Sequence, residues 1–181
     1  MPRYLPIQPD AAYDEIREAY QAVEDELGFV PNFLKTVAHS PNYLKATAGL
    51  YTTLLKSGEL SDKMRALVML KTSKVDRCKP SVTQFTQMAL DAGWTEDQLK
   101  ALDEYIDSDL FSFYEKDAIR LVEEALNHPD DISEVLFWTQ LDNHFTSDQV
   151  VEMLTLIGFV NMMNRFIHVI DIEPDPVPET A

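Results

Sequence analysis

The chain has one cysteine, Cys78, and the residues around it carry the most chemical content. Arg77 and Lys79 flank it, Pro80 follows, and Ser81 and Phe85 stand three and seven positions further on. Proline fits the first turn of a helix, so a helix is expected to open just after the cysteine. Two flanking cations and a helix N-terminus supply positive potential that favours a thiolate, which gives one reading, a single reactive thiol. The other reading is an inert, partly buried, small apolar side chain. One thiol cannot close an internal disulfide, so any redox cycle needs an external thiol or a partner chain.

A second polar group lies near the C-terminus. Asn161, Asn164, Arg165 and His168 recur at helical spacing on one face of an otherwise apolar stretch. They form either a structural stripe that satisfies buried polar groups or the wall of a ligand pocket with Arg165 binding an acidic group. Glu152, in the same stretch, reads as an exposed edge position. The histidines at 39, 128, 144 and 168 are scattered, with no His-x-x-x-His or Glu-x-x-His pair. A zinc or di-iron site is therefore not expected. No glycine-rich phosphate loop and no Gly-x-Ser-x-Gly is present, so nucleotide binding and serine hydrolysis have no support. No cofactor is expected.

The elements that must position these residues read as helices. Apolar residues at 3–4 spacing predict helices over residues 10–27, through Phe33–Val37, and through Leu44–Leu55. Ser61 caps the next, which carries Met64, Leu67, Val68, Leu70 and Lys71. Pro80 opens another through Phe85, Met88 and Leu90 to Gly93, and Thr95 caps a short one around Leu99. A helix over 109–127 follows, then one from about Ser133 to Leu141. Thr146 and Gln149 form a capping box opening the most apolar helix, 147–169. That helix, apolar almost all round, is expected to be buried inside the domain or across a subunit interface. Trp94 and Trp138 read as core. The expected fold is all-α, with about eight or nine helices in one domain over 1–173. Residues 174–181 form a Pro-rich acidic tail expected to be disordered.

Composition narrows the function classes. The 181 residues carry a formal charge of −16, which argues against nucleic-acid and anionic-membrane partners. The 45% apolar fraction suffices for a real core, and five glycines favour helices over a strand-rich fold. The longest apolar run, 150–163, is interrupted by Glu152, Thr155 and Asn161 and falls short of the roughly 20 residues that span a bilayer. Residues 1–6 lead straight into a charged helix and show no leader, so a cytoplasmic protein is expected.

The segments Leu60–Leu67 and Val75–Phe85 resemble the core helix-turn-helix of the alkylhydroperoxidase D-like proteins. The resemblance extends over about residues 28–170. It includes Val30-Pro31-Asn32, His39-Ser40-Pro41, the turn Ala92–Leu99, the helix with Glu115-Lys116-Asp117-Ala118, the Thr146 capping box, and an Asn164-Arg165 pair like that of peroxidase-related members. The nearest branch is the carboxymuconolactone decarboxylase-like one. In the family a helical glutamate, a Cys-x-x-Cys pair and a histidine form a thiol redox centre. The resemblance places Cys78 at the first cysteine, Ser81 at the second, Phe85 at the histidine and Ala66 near the glutamate. It implies an alkylhydroperoxidase-like, antioxidant oxidoreductase whose two-cysteine cycle is incomplete, or an inactive binding module on the same fold. It further implies a homo-oligomer, and a thiol reductant if the chain is active.

Overall fold

Side-chain caps set four of the helix starts among the described residues. The structure, a computed structural model, describes residues 2–129 and 135–175. Among these the regular elements are all helical: α1 (Asp14–Leu27), α2 (Asn32–Val37), α3 (Pro41–Lys56), α4 (Asp62–Val75), α5 (Lys79–Asp91), α6 (Glu96–Lys100), α7 (Phe113–Asn127), α8 (Val135–His144) and α9 (Ser147–Ile170). Ser61 Oγ accepts the Met64 N–H at the start of α4. Full capping boxes open α6 at Thr95/Gln98 and α7 at Ser112/Glu115, and Thr146 and Gln149 bond reciprocally at α9. The Ser112 box explains why α7 begins at Phe113 and not at 109. At the N-terminus, Pro9–Ala11 forms a separate 3-10 turn, which delays α1 to Asp14. The expected start of α8 at Ser133 and the tail beyond Asp175 lie outside the described residues.

Two compact units close from this chain: residues 1–57 with 163–181, and residues 58–162. In the first, α3 packs against α1 and α2, burying Ile16, Tyr20, Val23, Leu34, Leu44 and Tyr51. The Tyr20 hydroxyl donates to the Ile7 carbonyl at 2.8 Å, tying down the N-terminal segment. Asp175 accepts the Asn32 backbone N–H at 2.6 Å, where α2 begins. Burial raises the Asp175 carboxyl above its ordinary pKa, against the opposing pull of that N–H and of Lys35.

The second unit is built around α4, which packs on α5 and α7. Ten consecutive residues, Met64 to Ser73, are buried. A helix hidden on all sides has no solvent face for its charges, yet this one carries Arg65 and Lys71 inside the apolar run. Each is met by a carboxylate from a distant helix. Arg65 Nη2 lies 3.1 Å from Glu152 Oε1 of α9, and Nη1 lies 2.7 Å from Asp62. Glu152 Oε2 also accepts the backbone N–H groups of Glu59 and Leu60, at 2.8 and 3.1 Å. Its side chain is only 11% exposed. This corrects the sequence expectation: Glu152 is an inward-facing acid, held there by three donors. Gly58, at φ 122°, passes so close that a Cβ there would overlap the Glu152 carboxylate.

Lys71 is held at the other flank of α4. Its Nζ lies 2.6 Å from Glu123 Oε1 and 3.6 Å from Asp103, and donates to the Leu102 carbonyl at 3.4 Å. Tyr105 donates its hydroxyl to Glu123 at 3.1 Å. All-round burial, expected of the last long helix, is found instead in α4. By contrast, α9 keeps an exposed side at Val151, Leu154, Met162, Phe166 and Val169. Its 24 residues would cross a membrane by length and composition alone, although part of its surface is buried within the protein.

Breaking one partner of a buried ion pair leaves an uncompensated charge, so Glu152→Ala should lower the unfolding free energy by about 3–5 kcal/mol in urea titrations. Gly58→Ala should destabilise the same contact by displacing the carboxylate. A second outcome concerns alkaline pH. Burial, followed by the Glu123 charge, raises the Tyr105 pKa above its ordinary 10.0, and burial does the same for Tyr20. A group whose folded pKa is raised contributes stability that is complete below its unfolded pKa and is lost as pH rises past it. The melting temperature should fall as pH rises above about 10, and less steeply in Tyr105→Phe.

Candidate functional site

Cys78 sits in the tight connection between α4 and α5. Asp76 ends α4, and Arg77 takes a left-handed conformation at φ 58°. A non-glycine residue pays roughly 1–2 kcal/mol for that conformation, so surrounding contacts must enforce it. Two of them are visible. The Cys78 N–H donates to the Ser73 carbonyl at 3.0 Å. Asn161 Nδ2 donates to Asp76 Oδ1 at 2.7 Å and ties the connection to α9. The chain then turns into α5 with Cys78 at the N-cap and Pro80 in the first turn, as the proline suggested.

The sulfur is fully buried, and the Ser81 hydroxyl donates to it at 3.4 Å. Ser81 and Phe85 lie three and seven residues on, hence on the same side of α5, and both are buried. Ala66, on α4, is also buried. All four positions of the resembled redox centre thus lie in the interior, and only Cys78 and Ser81 carry groups able to exchange or bond a proton. Arg77 and Lys79 are exposed. The sulfur's hydrogen-bond donor is the Ser81 hydroxyl.

The C-terminal polar stripe separates into different roles. Asn161 braces the cysteine loop and Asn164 is buried, whereas Arg165 and His168 are exposed. A cavity of about 460 Å³ lies on another side of α5, lined by Leu70, Lys74, Val82, Thr86, Leu90 and Leu99 among others. Neither Phe85 nor Met88 lines it. No cluster of three or more His, Cys, Asp or Glu able to hold a metal ion occurs among the described residues. His39 is bonded to the Leu5 carbonyl and His144 to Asp117.

Two buried ionic groups, Arg65–Glu152 and Lys71–Glu123, were missed from sequence. Their signal was present: a cation four or ten residues after the Ser61 N-cap, inside an apolar run, has to find an anion.

Residues 41–124 match the carboxymuconolactone decarboxylase family. An uncharacterized protein of Escherichia coli, YnjA, is 28% identical over 117 residues, which is 65% of this chain and 64% of that protein. An uncharacterized peroxidase-related protein from Ralstonia eutropha with an alkylhydroperoxidase AhpD core has a TM-score of 0.80 at 23% identity, covering 96% of this chain and 92% of its own. A cysteine-to-alanine variant of the debrominase Bmp8, in complex with 2,3,4-tribromopyrrole, has a TM-score of 0.76 at 19% identity, covering 94% and 90%. These likenesses establish the all-helical AhpD-like fold.

Burial of the sulfur has a direct readout. A bulky aromatic disulfide reagent should label Cys78 at least about ten-fold more slowly in the native protein than in urea, because labelling must await local opening. Asn161→Ala, which unties the cysteine loop, should raise the native rate.

Proposed function

We propose that this chain is a thiol-dependent oxidoreductase of the peroxidase-related type in which Cys78 is the sole redox atom. The observation that carries the reading is the Cys78–Ser81 pair at the α5 N-terminus. There the helix start and the Ser81 hydroxyl donor meet at the sulfur. Ser81 takes the place of a second cysteine and replaces disulfide formation with a hydrogen bond.

The cycle runs in three balanced steps. The Cys78 thiolate attacks the distal oxygen of a hydroperoxide. The S–O bond forms as the O–O bond breaks, giving a sulfenic acid and an alkoxide that takes a proton from solvent. A small external thiol then condenses with the sulfenic acid, releasing water and leaving a mixed disulfide. A second external thiol attacks that disulfide, restoring Cys78 and leaving with the first as the oxidised reductant. No imidazole stands at Phe85 and no carboxylate at Ala66, so protons move through solvent and rates should be modest. The debrominase Bmp8 variant holding 2,3,4-tribromopyrrole on the same fold makes haloarenes the second substrate class to offer to Cys78.

A non-catalytic binding role is the alternative, favoured by the complete burial of the sulfur and of the Phe85 ring.

Consumption of hydrogen peroxide and of an organic hydroperoxide, supplied with a dithiol, decides between the two. Turnover should be measurable in the wild type, abolished in Cys78→Ser, and reduced in Ser81→Ala by about ten-fold, the size of one charge-assisted hydrogen bond. Turnover unchanged by Cys78→Ser would end the thiol reading.

A further inference from the structure

The cavity beside α5 has apolar walls and a charged mouth. It lies within the second unit and is lined from α4, α5 and α6. Leu70 and Leu99 are buried and make its deep end. Val82, Thr86 and Leu90 stand four residues apart on α5, so they form one row along that helix. All three are only half-buried, which leaves an apolar row that the chain does not cover with its own side chains. The volume of about 460 Å³ falls within the roughly 300–1,000 Å³ of small-molecule sites. No aromatic ring is among the lining residues, so the walls suit a flexible aliphatic chain and give a flat ring nothing to stack on.

The polar lining adds two ammonium groups, Lys74 and Lys100, against one carboxylate, Glu96. The Lys74 side chain is 22% exposed, whereas its partner Asp103, 2.8 Å away, is 61% exposed and outside the lining. The cation therefore faces the cavity while its carboxylate faces water. Lys100 and Glu96, 3.0 Å apart, are both exposed. Pairs between exposed groups contribute little and exchange readily for another carboxylate. An acid with an apolar chain gains what Asp103 and Glu96 lack, because its chain leaves water for the leucines.

We propose that this cavity binds the anion of a medium-chain aliphatic carboxylic acid. The chain lies between Leu70, Leu99 and the α5 row, and the carboxylate replaces Asp103 at Lys74. One surplus cation in the lining matches one negative charge on the ligand. Cys78 is not part of this site, so its occupancy is independent of the thiol cycle.

The test is isothermal titration calorimetry on the full chain with octanoate, acetate and 1-octanol. Octanoate should saturate one site per chain, and 1-octanol should bind about ten-fold more weakly or worse, for want of the charge-assisted contact. Acetate, with no chain to bury, should show no saturable binding. Lys74→Met should weaken octanoate about ten-fold and leave 1-octanol unchanged. Thr86→Phe, which fills the cavity from a half-buried position, should abolish octanoate binding with the fold retained by circular dichroism. Absence of saturable octanoate binding would overturn the proposal. So would acetate or 1-octanol binding as tightly as octanoate, or octanoate binding indifferent to Thr86→Phe.

Discussion

The burial of α4 is the constraint on which the rest of the second unit depends. A helix that hides ten residues in succession supplies much of a core, but it takes Arg65 and Lys71 into that core as well. Moving a cation out of water costs several kcal/mol, and only a well-placed anion with its remaining lone pairs occupied offsets this. Glu152 and Glu123 meet both conditions. Glu152 accepts two backbone N–H groups besides the guanidinium, and Glu123 accepts the Tyr105 hydroxyl besides the ammonium. These contacts fix α4 against α9 on one side and α7 on the other. The cysteine loop hangs from the far end of the same helix, and its own brace, Asn161, comes from α9 as well.

That architecture separates the scaffold from the chemistry it could host. The left-handed turn at Arg77, the proline-started α5 and the N-cap placement of Cys78 are backbone features. They do not depend on which side chains stand at Ser81, Phe85 and Ala66. Phe85 fills its site with an apolar ring, and the loss of a proton carrier is thereby compensated in packing. The fold is thus shared with solved peroxidase-related proteins, and beside the sulfur this chain places one hydroxyl.

Much of this was legible in the sequence because caps and prolines act locally. Ser61, Thr95 and Thr146 fixed helix starts within their own few residues, and Pro80 announced α5. The Ser112–Glu115 box carries the same signal, and missing it placed the start of α7 too early. The Cys78–Ser81 spacing was likewise readable, since three residues along a helix return to one side. What could not be read was the partner of each buried charge. Glu152 lies in an apolar run and its spacing is compatible with either side of α9. The donors that draw it inward are a guanidinium and two backbone amides brought there only by the tertiary fold. The same holds for Asn161, whose partner Asp76 is 85 residues away.

The Arg65–Glu152 pair joins residues 87 positions apart, and this bears on the order in which the protein comes together during synthesis. A chain emerging N-terminus first presents Arg65 long before its carboxylate exists outside the ribosome. Until residue 152 follows, docking α4 would leave the buried guanidinium with only the exposed Asp62 as its carboxylate, so the early helices have reason to stay loosely associated. Completion of α9 then supplies the missing anion and the brace on the cysteine loop in a single stroke.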